Sequence, residues 1–355
     1  GHFQQALALD ASDTRARFLG AMALTRLGRF EEALAAFQSV SETDKDFPGL
    51  SVERGRLFEE SGKNDQALRE YENAYAHSPD DAEVQTRVGC ARVIAGKGKE
   101  AEDLLEKVTR ALPRSAEASY CLGRALLEEE RLLDAGTRLD RAVELDPTRA
   151  IYHLYLGWVA SELGQNAKAE AELGRALELD KGLADAYWQR GRLKQKQGAV
   201  KDAIRDLERA LSLKPSRYEA LADLATSYAD LGRMSDALKV WEEALARDAD
   251  NATWHFRYGK LLSSSGNGAM AAAHLRRAID LVNETIQEKA AASSATKPKG
   301  PPWLWQAHYL LARELGAVAA SIPHWQAYLR LAPAGDPYRR EAERALAGLG
   351  QPWDH

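Results

Sequence analysis

The chain has 355 residues, 45% of them hydrophobic, with 48 Lys and Arg against 53 Asp and Glu for a formal charge of −5. That is ample apolar material for an ordered chain, and a net acidic balance lacks the sustained positive field that wrapping nucleic acid requires, so no nucleic-acid partner is expected. No apolar run reaches the roughly eighteen residues of a membrane span, and two cysteines, Cys90 and Cys121, are too few for a disulfide framework or a cysteine zinc site and lean toward a reduced, cytosolic protein.

Residues 1–13, ending FQQALALDASD, open the chain with one helix-length apolar pattern. The chain starts Gly1-His2 without a methionine, so an upstream leader, and with it a periplasmic or envelope setting, stays open beside the cytoplasmic expectation. From residue 14 onward a 34-residue period takes over. Stepping by 34 from Gly28 gives Gly62, Gly96, Glu130, Gly164, Gly198, Gly232 and Gly266, seven glycines in eight positions. The same step from Ala33 gives Ala67, Ala101, Ala135, Ala169, Ala203, Ala237 and Ala271 without a miss. A third series runs Ala21, Gly55, Gly89, Gly123, Gly157, Gly191, Ala225 and Gly259.

Each period holds two helix-length patterns around a Gly-centred turn, with small residues where the helices cross. A fourth series, Phe37, Tyr71, Leu105, Leu139, Leu173, Leu207, Trp241 and Leu275, supplies the bulk beside them. One such hairpin cannot bury its apolar face alone, so neighbours must stack into a continuous core.

These periods resemble the tetratricopeptide repeat (TPR), in a bacterial type of scaffold protein. The resemblance covers residues 14–285 as eight repeats without insertion or deletion; repeat six reads ADAYWQRGRLKQKQGAVKDAIRDLERALSLKPSR. It implies an all-α fold, a right-handed superhelical solenoid of helix-turn-helix repeats. Residues 1–13 then match the second half of a truncated repeat. Beyond the periodic part, 286–302 reads as a Ser/Lys/Pro/Gly linker or insertion, 303–335 as a degenerate repeat, and 336–355 as a capping helix and tail. Asp336 is expected as that helix's N-cap, with Pro337 in its first turn.

No catalytic motif is present: no HExxH, no phosphate-cradling glycine loop, no nucleophile elbow. His77, His153, His255, His274, His308 and His324 show no i, i+4 spacing that would present two imidazoles to a metal, and read as surface or packing. Neither a metal nor a cofactor is expected, and the chain reads as no enzyme.

In the family the first helix of each unit lines a concave groove. Carried over by that resemblance, the groove holds Tyr120, Arg124, Leu127, Leu154, Trp158, Trp188, Arg192, Gln195, Phe256 and Lys260. Trp188 and Arg192 stand one turn apart on a single helix face. Lys194 leaves by another face, and Arg190 takes a slot usually filled by leucine, its stem packing and its head reaching water. A second candidate patch is the tryptophan-rich segment with Trp303, Trp305 and Trp325. Aromatics with arginine dominate protein-binding hot spots. The expected function is therefore a non-catalytic scaffold that binds a peptide or a folded partner such as a small GTPase, in a bacterial secretion, pilus, motility or envelope complex. The alternative is the regulatory or targeting segment of a larger enzyme.

Overall fold

The computed structural model describes residues 13–292 and 300–353. Residues 1–12 of the half repeat expected at 1–13, and the linker core at 293–299, lie outside the described residues. The chain divides into two compact units, Gly1–Leu183 and Ala184–His355. The first contains α1 (Thr14–Arg26), α2 (Phe30–Thr43), α3 (Leu50–Glu60), α4 (Asn64–His77), α5 (Ala82–Ile94), α6 (Gly98–Ala111), α7 (Ala116–Glu128), α8 (Leu132–Leu145), α9 (Ala150–Glu162) and α10 (Asn166–Leu179). The second contains α11 (Ala184–Lys196), α12 (Val200–Leu213), α13 (Tyr218–Asp230), α14 (Met234–Arg247), α15 (Ala252–Ser264), α16 (Gly268–Ala292), α17 (Leu304–Leu315), a 3₁₀ turn at Ala319–Ser321, α18 (Ile322–Leu331) and α19 (Arg339–Gly348). This is the all-α repeat solenoid expected, with α16 running on to Ala292, and no strand occurs among the described residues.

The 34-residue grid sets where helices begin, turn and cross. Asp13, Asp81, Ser115 and Asn251, all on one grid position, cap α1, α5, α7 and α15 by accepting backbone N–H bonds from the first turn. Each hairpin then turns through a left-handed residue: the seven grid glycines have φ between 71° and 80°. Glu130 holds the same turn at φ 60°, the one non-glycine with positive φ among the described residues. An L side chain there costs about 1–2 kcal/mol.

At the crossings, backbones approach too closely for a side chain. A Cβ on Gly123 would lie 2.7 Å from Leu139 Cγ, and one on Gly191 2.9 Å from Leu207 Cγ. The alanine series from Ala33 to Ala271 is 0–3% exposed throughout. So the small series and the bulky series expected from the period meet each other across the six hairpins that carry glycine at the crossing.

Three expectations need correction. Cys90 on α5 and Cys121 on α7 are disulfide-bonded, with Cα atoms 5.2 Å apart, rather than a reduced pair. The bridge staples the first helices of two successive repeats. The last helix begins at Arg339, after Tyr338 as its capping residue. Asp336 instead closes the turn before it, accepting the Tyr338 N–H at 3.1 Å. Finally, Arg190 does not send its head to water, as the ion pairs below show. Helix α19 buries Ala342 and Leu346 against Tyr309, Trp325 and Tyr328, which covers the end of the second unit's apolar core.

Candidate functional site: a cleft on the first helices of the second unit

Helix α11 carries YWQRGRLKQK, a tryptophan with four basic residues, and the structure splits three of those charges, Arg190, Arg192 and Lys194, between two carboxylates. Arg190 donates from Nε and Nη2 to the two oxygens of Asp206 on α12, each at 2.8 Å, and Lys194 Nζ donates to Oδ2 at 2.6 Å. Asp206 has only 8% of its side chain exposed. Burial alone would raise its pKa, but the hydrogen bonds from Arg190 and Lys194 outweigh burial and hold it below the ordinary carboxylate value. Arg190 and Lys194 thus join α11 to α12 within a repeat.

Trp188 and Arg192 face the other way, toward α13. The Trp188 indole Nε1 donates to Asp223 Oδ2 at 2.8 Å. The Arg217 and Arg192 guanidinium carbons lie 4.7 Å and 5.4 Å from the Trp188 ring centroid, within cation–π range. Gln195 donates from Nε2 to the Asp223 carbonyl and to Ser227 Oγ, both at 2.7 Å. Burial raises the pKa of Asp223, against the hydrogen bond from Trp188 and the charges of Arg192 and Arg257.

Beyond this junction a cleft of about 660 Å³ opens, lined by Arg192, Gln195, Thr226, Phe256, Arg257 and Lys260 among others. Its walls come from α11, α13 and α15, the first helices of three successive repeats. Trp241 and Phe256, 2% and 6% exposed, form its apolar floor, while Arg257 and Lys260 are exposed at its rim. Two acids, Asp223 and Asp230, face four cations, Arg192, Lys196, Arg257 and Lys260. The cleft therefore offers an apolar bed under a net positive rim.

Of the ten groove residues expected from sequence, the cleft gathers Arg192, Gln195, Phe256 and Lys260. Trp188 stands behind it, holding Asp223. The other five belong to the first unit, where Tyr120, Tyr155 and Trp158 form an aromatic run with centroid spacings of 5.5 Å and 5.6 Å. The Arg124 guanidinium lies 4.7 Å from the Tyr155 ring. Leu127 packs against the core there, and Leu154, 2% exposed, is core itself.

The C-terminal tryptophans do not form one patch. Trp303 stacks on Phe256 with centroids 4.6 Å apart and an interplanar angle of 7°. Trp305 instead tilts against Tyr328, and Trp325 is 4% exposed in a core with Tyr309. Sequence reasoning missed Asp223, Arg257 and Tyr155 as members of these clusters. Asp223 lies one place past Ala222, the residue one 34-residue period on from Trp188, so a strict grid reading passes over it.

Tetratricopeptide repeat family models match residues 194–255 and residues 1–46, 87–150 and 122–184. The chain belongs to the tetratricopeptide repeat family. Solved TPR structures share the fold. The Cut9-Hcn1 hetero-tetramer of the APC/C matches at TM-score 0.64 and 18% identity, over 81% of this chain and 52% of that one. This chain thus spans about half the length of that relative. A monomeric IFIT1 mutant with m7Gppp-AAAA matches at TM-score 0.58 and 16% identity, covering 95% of this chain and 82% of that one. PilF of Pseudomonas aeruginosa matches at 0.52 and 19%, covering 64% and 96%. No curated protein matches this chain.

Proposed function

We propose that this TPR chain is a non-catalytic scaffold that holds a segment of a protein partner in the cleft formed by α11, α13 and α15. TPR folds generally mediate protein–protein interaction, and the observation that supports this particular place is the cleft itself. An apolar floor of Trp241 and Phe256 lies within reach of Arg192 and Lys260. Such a surface suits a segment that presents an apolar anchor beside an acidic group. Arginine at the edge of a desolvated aromatic floor is a combination in which a few contacts carry most of the binding energy. The alanine- and arginine-rich units in tight register look bacterial, and the setting proposed is a secretion, pilus, motility or envelope complex.

The test starts from a partner captured on the wild-type chain and compares affinities. Arg192→Ala and Lys260→Ala are expected to weaken binding, Arg192→Ala by about thirtyfold, the equivalent of roughly 2 kcal/mol. Lys201→Ala, at an exposed position on α12, is expected to change affinity less than about twofold, because exposed charges are hydrated and screened. Wild-type affinity in both cleft variants would overturn the assignment.

A further inference from the structure

Two histidine pairs lie in the second unit, outside the cleft's own contacts. His255 on α15 meets His274 on α16 with their Nδ1 atoms 2.9 Å apart. His308 on α17 meets His324 on α18 with their Nδ1 atoms 3.0 Å apart. The ring centroids are 5.1 Å and 5.3 Å apart, so the two nitrogens are the facing edges of each pair.

The first unit supplies an internal comparison. His153 and Glu172 occupy the positions three 34-residue periods before His255 and His274. His153 Nδ1 lies 2.6 Å from Glu172 Oε2, and its Nε2 lies 3.0 Å from the Pro147 carbonyl. His255 keeps the second contact, with Nε2 2.9 Å from the Ala249 carbonyl. Where His153 finds a carboxylate, however, His255 finds another imidazole.

That exchange changes what a proton does. A protonated His153 still has an acceptor for each N–H. An Nδ1···Nδ1 contact, by contrast, holds one hydrogen. A neutral or singly charged pair supplies it, whereas a doubly charged pair sets two N–H groups and two positive charges head to head. We propose that the two histidine pairs are acid-labile clasps, joining the helices of the last two repeats near neutral pH and releasing them on acidification.

The surroundings favour the neutral forms of His274, His308 and His324. Burial and then His255 lower the pKa of His274. Tyr258, its hydroxyl bonded to Glu242 of α14, meets the His274 ring edge-on at 4.7 Å. Burial, His324 and Arg330 push His308 down to about 4. His324 is lowered by burial and by Arg276 of α16, with Asp280 opposing. For a histidine depressed on folding, the unfolded chain takes up protons first. Its stabilising contribution is therefore complete above the ordinary value of 6.5 and is lost as the pH falls toward 4. Helix α15 also carries Phe256 and Lys260, so release slackens one wall of the cleft; that consequence rests on the binding proposal, while the clasps stand without it.

Hydrogen exchange on the free full chain, at about pH 7.5 and about pH 5 and corrected for intrinsic exchange, tests the clasps without any partner. Protection over 252–274 and 304–324 is expected to fall roughly tenfold or more, while 150–179, with the His153–Glu172 pair, holds. His274→Glu restores the carboxylate of the earlier repeat. It is expected to abolish the loss over 252–274 and leave that over 304–324. Equal protection at both pH values in the wild-type chain, a loss spread evenly along it, or an unchanged loss over 252–274 in His274→Glu would each overturn the proposal.

Discussion

Trp241→Ala is expected to remove about 3–5 kcal/mol of folding stability, as large-to-small changes at buried aromatics do. Trp241 is 2% exposed and fills the crossing between α14 and its hairpin partner, within a core that includes Ala225, Tyr258, Leu275 and Leu311. Truncation leaves a void in a close-packed surround that relaxes only in part. The same side chain floors the cleft, so the variant should also bind poorly. Urea unfolding followed by circular dichroism measures the stability term. A loss below about 1 kcal/mol would mean that the site collapses easily, or that the crossing is assigned wrongly.

Asp206→Ala is expected to cost about 2–3 kcal/mol at neutral pH. Removing one side of a buried pair leaves uncompensated charge, here Arg190 and Lys194 together, and the figure is discounted because those two keep 25% and 21% of their side chains exposed. The pH dependence gives a signed check. The folded-state pKa of Asp206 is held below its ordinary 3.8, so its contribution is present above that value and is lost as pH falls through the folded value. Unfolding free energies of wild type and variant should therefore converge below about pH 4. A gap that stays constant down to about pH 2 would show that the loss is packing, not charge.

Much of the fold was legible because close helix crossings admit few residue types. A Cβ has no room at Gly123 or Gly191, and the hairpin turn demands a left-handed residue, so both features repeat at a fixed spacing. The polar chemistry was less legible. Arg190–Asp206 and His308–His324 pair across a hairpin at a separation of 16, and His255–His274 at 19. A search for i, i+4 neighbours on one helix cannot find such partners. The cysteines could have been read from the grid. Cys121 minus one period falls at position 87, one helical turn from Cys90 and on the same face. Counting cysteines set that geometry aside.

For the groove, sequence placed the expected residues on first helices but not the contacts they make. Trp188 looked like an open anchor, and instead it holds Asp223 under two guanidiniums. Leu154 and Trp325 looked like surface and are core. Register along a helix says which face a side chain leaves by, whereas its exposure depends on what the next repeat brings against it. Asp223 and Arg217, one repeat on, decide the matter for Trp188.

The most direct test of the binding cleft is site-specific photo-crosslinking in cells of the native source. A photoreactive residue replaces Thr226, inside the cleft, or Lys239, on the exposed side of α14. A discrete protein adduct from position 226 and none from 239 is the predicted result. An adduct at 239 with none at 226 would contradict the cleft as the partner's seat.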